Sequence, residues 1–477
     1  MGTGGRAWDS LLAERGTVAD AIIELDISTA WEPPGPSPRA AARIRRRLRW
    51  LAAVAVLALV AGLLTAARPG RGLDPLYTVD FQVLQVRAGG GRFVLSRYQA
   101  GGQPVIETLD ARDGAVLWRR AQATGEAIVA VTDRIVLIQA ARADDEAYDG
   151  QLTALDAATG AVRWTRAPAR MVGLAGGLVI AEDIAWPKER RGFDTSFGSL
   201  DDAEVALPQL PHHERHVGLA EDSGRAVWTA DTPPGAVVSF TMTDYPQVSG
   251  FSELDSDGVL RVRDMGSGAV ARTYRLQLSG TVARHVQGAA GQELVWPAGA
   301  GRADVYDRAT GRRLWHWPGS TNGYDGPYPC LPGKYCVFGD RRTDVLDAGT
   351  GDVRWRVDGY TAMLGADGRQ LLMFRQLADE FRPDDLAAFG AGDGATRWRR
   401  TGWLLSGREA FELRSRGYFM WRPIDNTAAV IGRLDARDGT VGVIGRAGEF
   451  YGSPQCVATT GRVACLAIGM LYVWEDP

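Results

Sequence analysis

Cysteine, lysine and histidine are scarce in this chain of 477 residues, and each scarcity excludes something. The four cysteines all lie at or beyond position 330, so no thiol near the N-terminus can carry a lipid. No Cys-x-x-Cys-His run exists to attach haem. Lys188 and Lys334 are the only lysines. Neither stands in a phosphate loop or a Ser-x-x-Lys arrangement, and no Gly-x-Ser-x-Gly elbow occurs. Lysine is replaced throughout by arginine, which reads as codon usage, not chemistry. A basic excess is also missing: the formal net charge of −3 gives no case for nucleic acid as a partner. With 45% hydrophobic and 23% charged residues, the composition excludes a disordered or collagen-like chain.

Long apolar runs are absent with one exception. Trp50 to Ala67 contains no charge over 18 residues, and at about 1.5 Å per residue such a helix just crosses a hydrocarbon core. Arg39, Arg43, Arg45, Arg46, Arg47 and Arg49 precede it, and only Arg68 and Arg71 follow closely. The positive-inside bias places the N-terminus in the cytoplasm and the rest outside. A cleaved signal competes, because Thr65-Ala66-Ala67 offers small residues. Such signals run about 15–30 residues with apolar cores of about 7–15, whereas 49 residues precede this run. A buried soluble helix is the third reading. We expect an uncleaved signal-anchor at 50–67 in the cell membrane. It follows a Pro- and Arg-rich cytoplasmic tail at 1–49 and leads through a linker at 68–76 to an extracytoplasmic domain at 77–477. Within the tail, Trp8, Leu11, Leu12, Val18, Ile22 and Ile23 could form a short amphipathic helix, and residues 32–38 are a stiff Pro-rich spacer. A solvated tail is preferred to a docking segment.

Internal repetition decides the rest. Leu109-Asp110-Ala111-Arg112-Asp113-Gly114 leads to Trp118, and Leu155-Asp156-Ala157-Ala158-Thr159-Gly160 leads to Trp164. Tyr306-Asp307-Arg308-Ala309-Thr310-Gly311 leads to Trp315, and Leu346-Asp347-Ala348-Gly349-Thr350-Gly351 leads to Trp355. Weaker copies centre on Gly224 with Trp228, Gly394 with Trp398, Gly268 without Trp and Gly439 without Trp. Successive glycines are 46, 64, 44, 43, 40, 43 and 45 residues apart. The runs on either side are β-rich and alternating, so each copy reads as an antiparallel hairpin. Asp and Thr oxygens bond nearby backbone N–H groups, and glycine closes the bulged turn in the left-handed conformation. A tryptophan on the outgoing strand suits the seam between neighbouring sheets. A period of this length holds four short strands, which stack radially into a propeller.

This Asp-x-x-Thr-Gly-x-x-x-Trp pattern resembles the repeat of the pyrroloquinoline-quinone-like β-propeller superfamily. That superfamily includes quinoprotein alcohol dehydrogenases and the propeller lipoprotein of the outer-membrane β-barrel assembly machinery. The resemblance implies an all-β, eight-bladed propeller preceded by one transmembrane helix. It also implies that Trp118, Trp164, Trp228, Trp315, Trp355 and Trp398 dock adjacent blades. Seven or nine blades remain open, because Gln455–Thr459, Arg462–Trp474 and Leu76–Phe81 supply further strand-like runs at the two chain ends. The seams at Gly268 and Gly439 must be packed by something other than this Trp.

The resemblance carries no cofactor site across. The family's quinone enzymes use an adjacent Cys-Cys pair beneath the cofactor, with bound Ca²⁺ and a catalytic Asp, and no Cys-Cys occurs here. We expect no cofactor, no catalytic residue and no metal. Cys456 and Cys465 flank Thr460-Gly461, so a two-residue turn sets them opposite each other. Cys330 and Cys336 are expected to oppose across the loop Pro332-Gly333-Lys334. Two local disulfides suit an oxidising exterior; free buried thiols and a metal site are the alternatives. His212, His213 and His216 could hold a metal only on one face, and the neighbouring Pro208 and Pro211 argue for a polar loop instead. Asp144, Asp145, Glu146 and Asp149 could hold Ca²⁺, but acids at an exposed hairpin tip are commoner. The long interval near Ile184–His216, with Trp186, Phe193 and Phe197, is either a rim that grips a partner or a tolerated insertion.

The sequence therefore points to a single-pass membrane protein whose external propeller is a non-catalytic scaffold. Its expected partner is a protein or envelope polymer of unknown identity. The rival is a quinoprotein-like enzyme or a small-ligand sensor using the central funnel. Convergent carboxylates in that funnel would favour the rival, and an apolar rim would favour the scaffold.

Overall fold

Each Asp–Gly turn forms as its residue types require. In the computed structural model the eight glycines, Gly114, Gly160, Gly224, Gly268, Gly311, Gly351, Gly394 and Gly439, have φ between 65° and 77°. That region disfavours any residue with a Cβ. Asp156 shows the rest of the turn: its Oδ1 accepts from the Ala158 and Thr159 N–H groups and the Thr159 hydroxyl, at 2.8–2.9 Å. Its carbonyl accepts from Gly160 N–H at 2.8 Å. Beyond the turn, Val162–Arg166 alternates, and Trp164 alone is buried there. The structure describes residues 73–476 apart from 81, 141–149, 186–212, 234, 245, 279–282, 290, 298–301, 320–325, 340, 378–379, 407–417, 426 and 449–452.

Among the described residues, 36 strands follow one another with no helix and pair into four-stranded sets. In chain order these are sheet one (83–121), two (126–166), three (170–232), four (237–275), five (283–317), six (328–358), seven (362–401) and eight (404–448). Each contains one turn glycine. Sheets three and four touch through a single parallel pair, Leu174 with Gln247. A further set, sheet nine, takes Gln455–Thr459, Arg462–Ala467 and Met470–Glu475 from the C-terminal end. Its fourth strand is Tyr77–Val79, paired antiparallel with Met470–Glu475. The strand-like runs at the two chain ends thus build one additional sheet. It has no Asp–Gly turn because its outer strand arrives from the other end of the domain.

Apolar cores lie between sheets. Ile106 and Trp118 of sheet one pack with Ile128 and Ile138 of sheet two. Phe93 and Leu95 of sheet one pack with Ala464 and Val473 of sheet nine. Every adjacent pair of sheets shares such a cluster, and the succession returns from nine to one. The first strands converge: Val83–Gly89 lies against both Glu126–Val131 and Gln455–Thr459. Sheets of this kind cannot bury both faces alone, and stacking face against face covers them. Residues 72–477 make one compact unit.

The expected anchor Trp50–Ala67 and the tail before it lie outside the described residues, as do Asp144–Asp149, Trp186, Phe193, Phe197 and His212. No helix among the described residues is long and apolar enough to cross a membrane.

Candidate functional site

The repeat residues form a relay of aromatic rings on glycines. Trp118 sits on Gly160 of the next sheet, Trp164 on Gly224, Trp228 on Gly268, Trp315 on Gly351, Trp355 on Gly394 and Trp398 on Gly439. A Cβ at any of these glycines would fall 2.5–2.6 Å or 2.7 Å from the ring, so glycine is required there for close approach as well as for its φ. Each indole N–H donates to the carbonyl three residues before that glycine. Examples are Trp118 to Ala157 at 3.0 Å, Trp164 to Glu221 at 3.0 Å and Trp315 to Ala348 at 2.7 Å. The copy at Gly268 lacks this tryptophan, and Tyr274 takes its place, packing on Gly311 and donating to Ala309 O at 2.7 Å. Tyr77 of sheet nine does the same on Gly114. At the copy of Gly439 the direction reverses, and Trp474 of sheet nine packs back on Gly445. These residues hold neighbouring sheets together.

Both disulfides are formed. Cys456 and Cys465 are cross-strand partners across the turn Thr460-Gly461. Cys330 and Cys336 are bonded as well, but their register differs from expectation. Leu331 pairs with Lys334, leaving a two-residue turn, and Tyr328, not Cys330, pairs with Cys336. A bulge between Pro329 and Leu331 absorbs the extra residue, which turns Cys330 toward its partner.

Most buried acids in the sheets are matched by arginine. Glu107 accepts from Arg97 at 2.8 Å and from Arg119 at 3.2 Å. Glu253 pairs with Arg261 and Arg263 at 3.2 and 3.0 Å, and Asp385 pairs with Arg399 at 2.6 Å. Such pairs are structural, since a buried charge without a partner is costly. Glu293, fully enclosed, is pushed up by burial while Arg308 and the Ser252 hydroxyl oppose that shift.

One group adds a buried histidine to this pattern. The expected loop around the histidines is instead strand His213–Ala220, paired with Leu178–Ala185. Both proline positions precede that strand, so they do not interrupt its ladder. The register places His216 opposite Glu182, and the period of two puts Glu214 on the same face as His216. Ligand atoms of Glu182, Glu214 and His216 all lie within 4.8 Å of one another. Burial pushes the Glu214 carboxyl up. The sequence reading missed Glu182 and Glu214. They stand on the second and third strands of sheet three, not on the first strands that converge at the centre. A polar cavity of about 640 Å³ lies elsewhere, among Gly90, Asp133, Arg433, Thr459 and Asp476. Its Arg433 pairs with Asp476 at 2.7 Å.

No curated protein matches the chain. Among solved structures, BamB from Moraxella catarrhalis is similar at 16% identity over 84% of this chain and 99% of that one, with a TM-score of 0.34. The quinohemoprotein alcohol dehydrogenase ADHIIG from Pseudomonas putida HK5 is similar at 11% identity over 84% of this chain and 75% of that one, with a TM-score of 0.36. A family model described as outer membrane protein assembly factor BamB matches residues 101–284 and 299–433, well over half of the sequence. The chain belongs to that family of quinoprotein-like β-propeller repeats.

Proposed function

We propose that the protein is a membrane-anchored, extracytoplasmic scaffold that binds a protein partner and performs no catalysis. Family membership is the observation that carries this reading, because the family is described by an outer membrane protein assembly factor. The propeller is proposed to be a closed ring of nine blades, supported by nine core clusters that each bridge one pair of neighbouring sheets. Two local disulfides support an oxidising compartment, and the arginines before Trp50 support a cytoplasmic N-terminus. The partner is proposed to engage residues 186–212, which lie between the second and third strands of sheet three in the 64-residue interval from Gly160 to Gly224, because long insertions on rigid scaffolds tend to carry recognition.

A native gel of detergent-extracted membranes tests this reading. The full chain should migrate in a complex larger than itself. A chain in which a short Gly-Ser linker replaces residues 186–212 should keep its melting temperature and lose the complex. Identical migration of the two chains would refute the proposed contact.

A further inference from the structure

His216 is fully buried, and its surroundings constrain what can sit beside it. Phe240 and Phe251 lie against the imidazole, with ring centroids 5.2 and 5.1 Å away. Nδ1 is 3.2 Å from the Thr232 hydroxyl oxygen. Nε2 lies 3.3 Å from Glu214 Oε1 and 3.7 Å from Glu182 Oε2, yet it is buried and forms no hydrogen bond with either. Glu182 gives its other oxygen to Arg170, which leaves Oε2 for the cluster. In the tautomer with Nδ1–H donating to the Thr232 hydroxyl, the Nε2 lone pair and two carboxylate oxygens converge. Acceptors facing acceptors in a buried space repel unless a cation lies between them.

We propose that Glu182, Glu214 and His216 bind a divalent transition-metal ion of the Zn²⁺ class. Imidazole nitrogen and carboxylate oxygen are ordinary ligands for that ion, and three protein ligands leave a fourth position for water or a further group. Thr232 is the positioning residue, since a bond at Nδ1 fixes the ring and directs Nε2 to the metal. Arg170 offsets the charge of the second carboxylate. The two strands that supply the ligands also flank residues 186–212, so the ion would fasten the base of that insertion. Glu214 remains partly accessible, with 19% of its side chain exposed, which gives the ion an entry path.

The full chain, purified in detergent and stripped with a chelator, should be titrated with Zn²⁺ against a chromophoric competitor. One ion per chain should bind, and it should raise the melting temperature. His216→Asn and Glu214→Gln should each abolish stoichiometric binding. Thr232→Val should weaken it about 10- to 100-fold. His212→Asn with His213→Asn should leave it unchanged. Glu214→Gln guards against a folding defect, because it alters no volume and lies at the accessible edge. Failure to bind one ion would overturn the proposal. Binding that survives both His216→Asn and Glu214→Gln would overturn it too, as would loss of binding on changing His212 and His213. None of these outcomes bears on whether residues 186–212 contact a partner.

Discussion

The contact between Trp164 and Gly224 gives the most discriminating test of how the blades are locked. Trp164 is 8% exposed, its N–H bonds Glu221 O at 3.0 Å, and a Cβ on Gly224 would stand 2.6 Å from ring atoms Cδ2 and Cγ. Trp164→Ala should cost about 3–5 kcal/mol, a large part of the roughly 5–15 kcal/mol typical of a folded domain. Gly224→Ala should cost about 1–2 kcal/mol for a left-handed φ, with about 1–3 kcal/mol more for the clash. In the double variant the cavity left by the indole accepts the new methyl group, so the clash disappears and the φ cost remains. The two changes should therefore fall short of additivity by about 1–3 kcal/mol, measured by urea unfolding of the four chains. Additivity within about 0.5 kcal/mol would show that the ring does not rest on the glycine.

Other expectations follow from the same structure. Tyr274→Ala should destabilise the seam between sheets four and five while Tyr274→Trp largely preserves it, as read by thermal unfolding; equal losses would deny the substitute role. Arg163 bonding holds Asp156 at about 2. Ser267, Thr310 and Arg354 respectively keep Asp264, Asp307 and Asp347 below the ordinary carboxylate range. These turns prefer the ionised acid, so their contribution is intact above the ordinary carboxylate range and is lost as pH falls through the lowered values. Asn at all four positions should lower the melting temperature at pH 7 and flatten its fall toward pH 2; an unchanged slope would contradict the assignment. Non-reducing peptide mapping should link Cys330 to Cys336 and Cys456 to Cys465, and replacing one pair by Ser should cost ~2–3 kcal/mol without preventing folding. Peptides linking 330 to 456 would refute both hairpins.

What was legible in the sequence was local. The turn aspartates, glycines and tryptophans sit within ten residues of one another, so their spacing survives without knowledge of the fold. The runs Gln455–Thr459 and Arg462–Trp474 were also legible as strands, as was the N-terminal run that pairs with them. Tyr274 escaped notice because it lies two residues beyond the place where Trp stands in other copies. Strand periodicity keeps both positions on one face, and a search at fixed spacing does not. The bulge at Cys330 was hidden for a related reason: two loop lengths bring the same cysteines together. Glu182 and His216 could not be paired at all, because residues 186–212 separate their strands and register cannot be counted across them in sequence.

Photocrosslinking in intact cells is the measurement that bears most directly on the scaffold reading. A photoreactive amino acid at position 193, inside the insertion, should yield one discrete cross-linked protein from the extracytoplasmic side. The same group at Val162, which is 61% exposed on an outer strand of sheet two, should yield none. A discrete product at both positions, or at neither, would contradict the claim that this propeller is a scaffold with a dedicated binding rim.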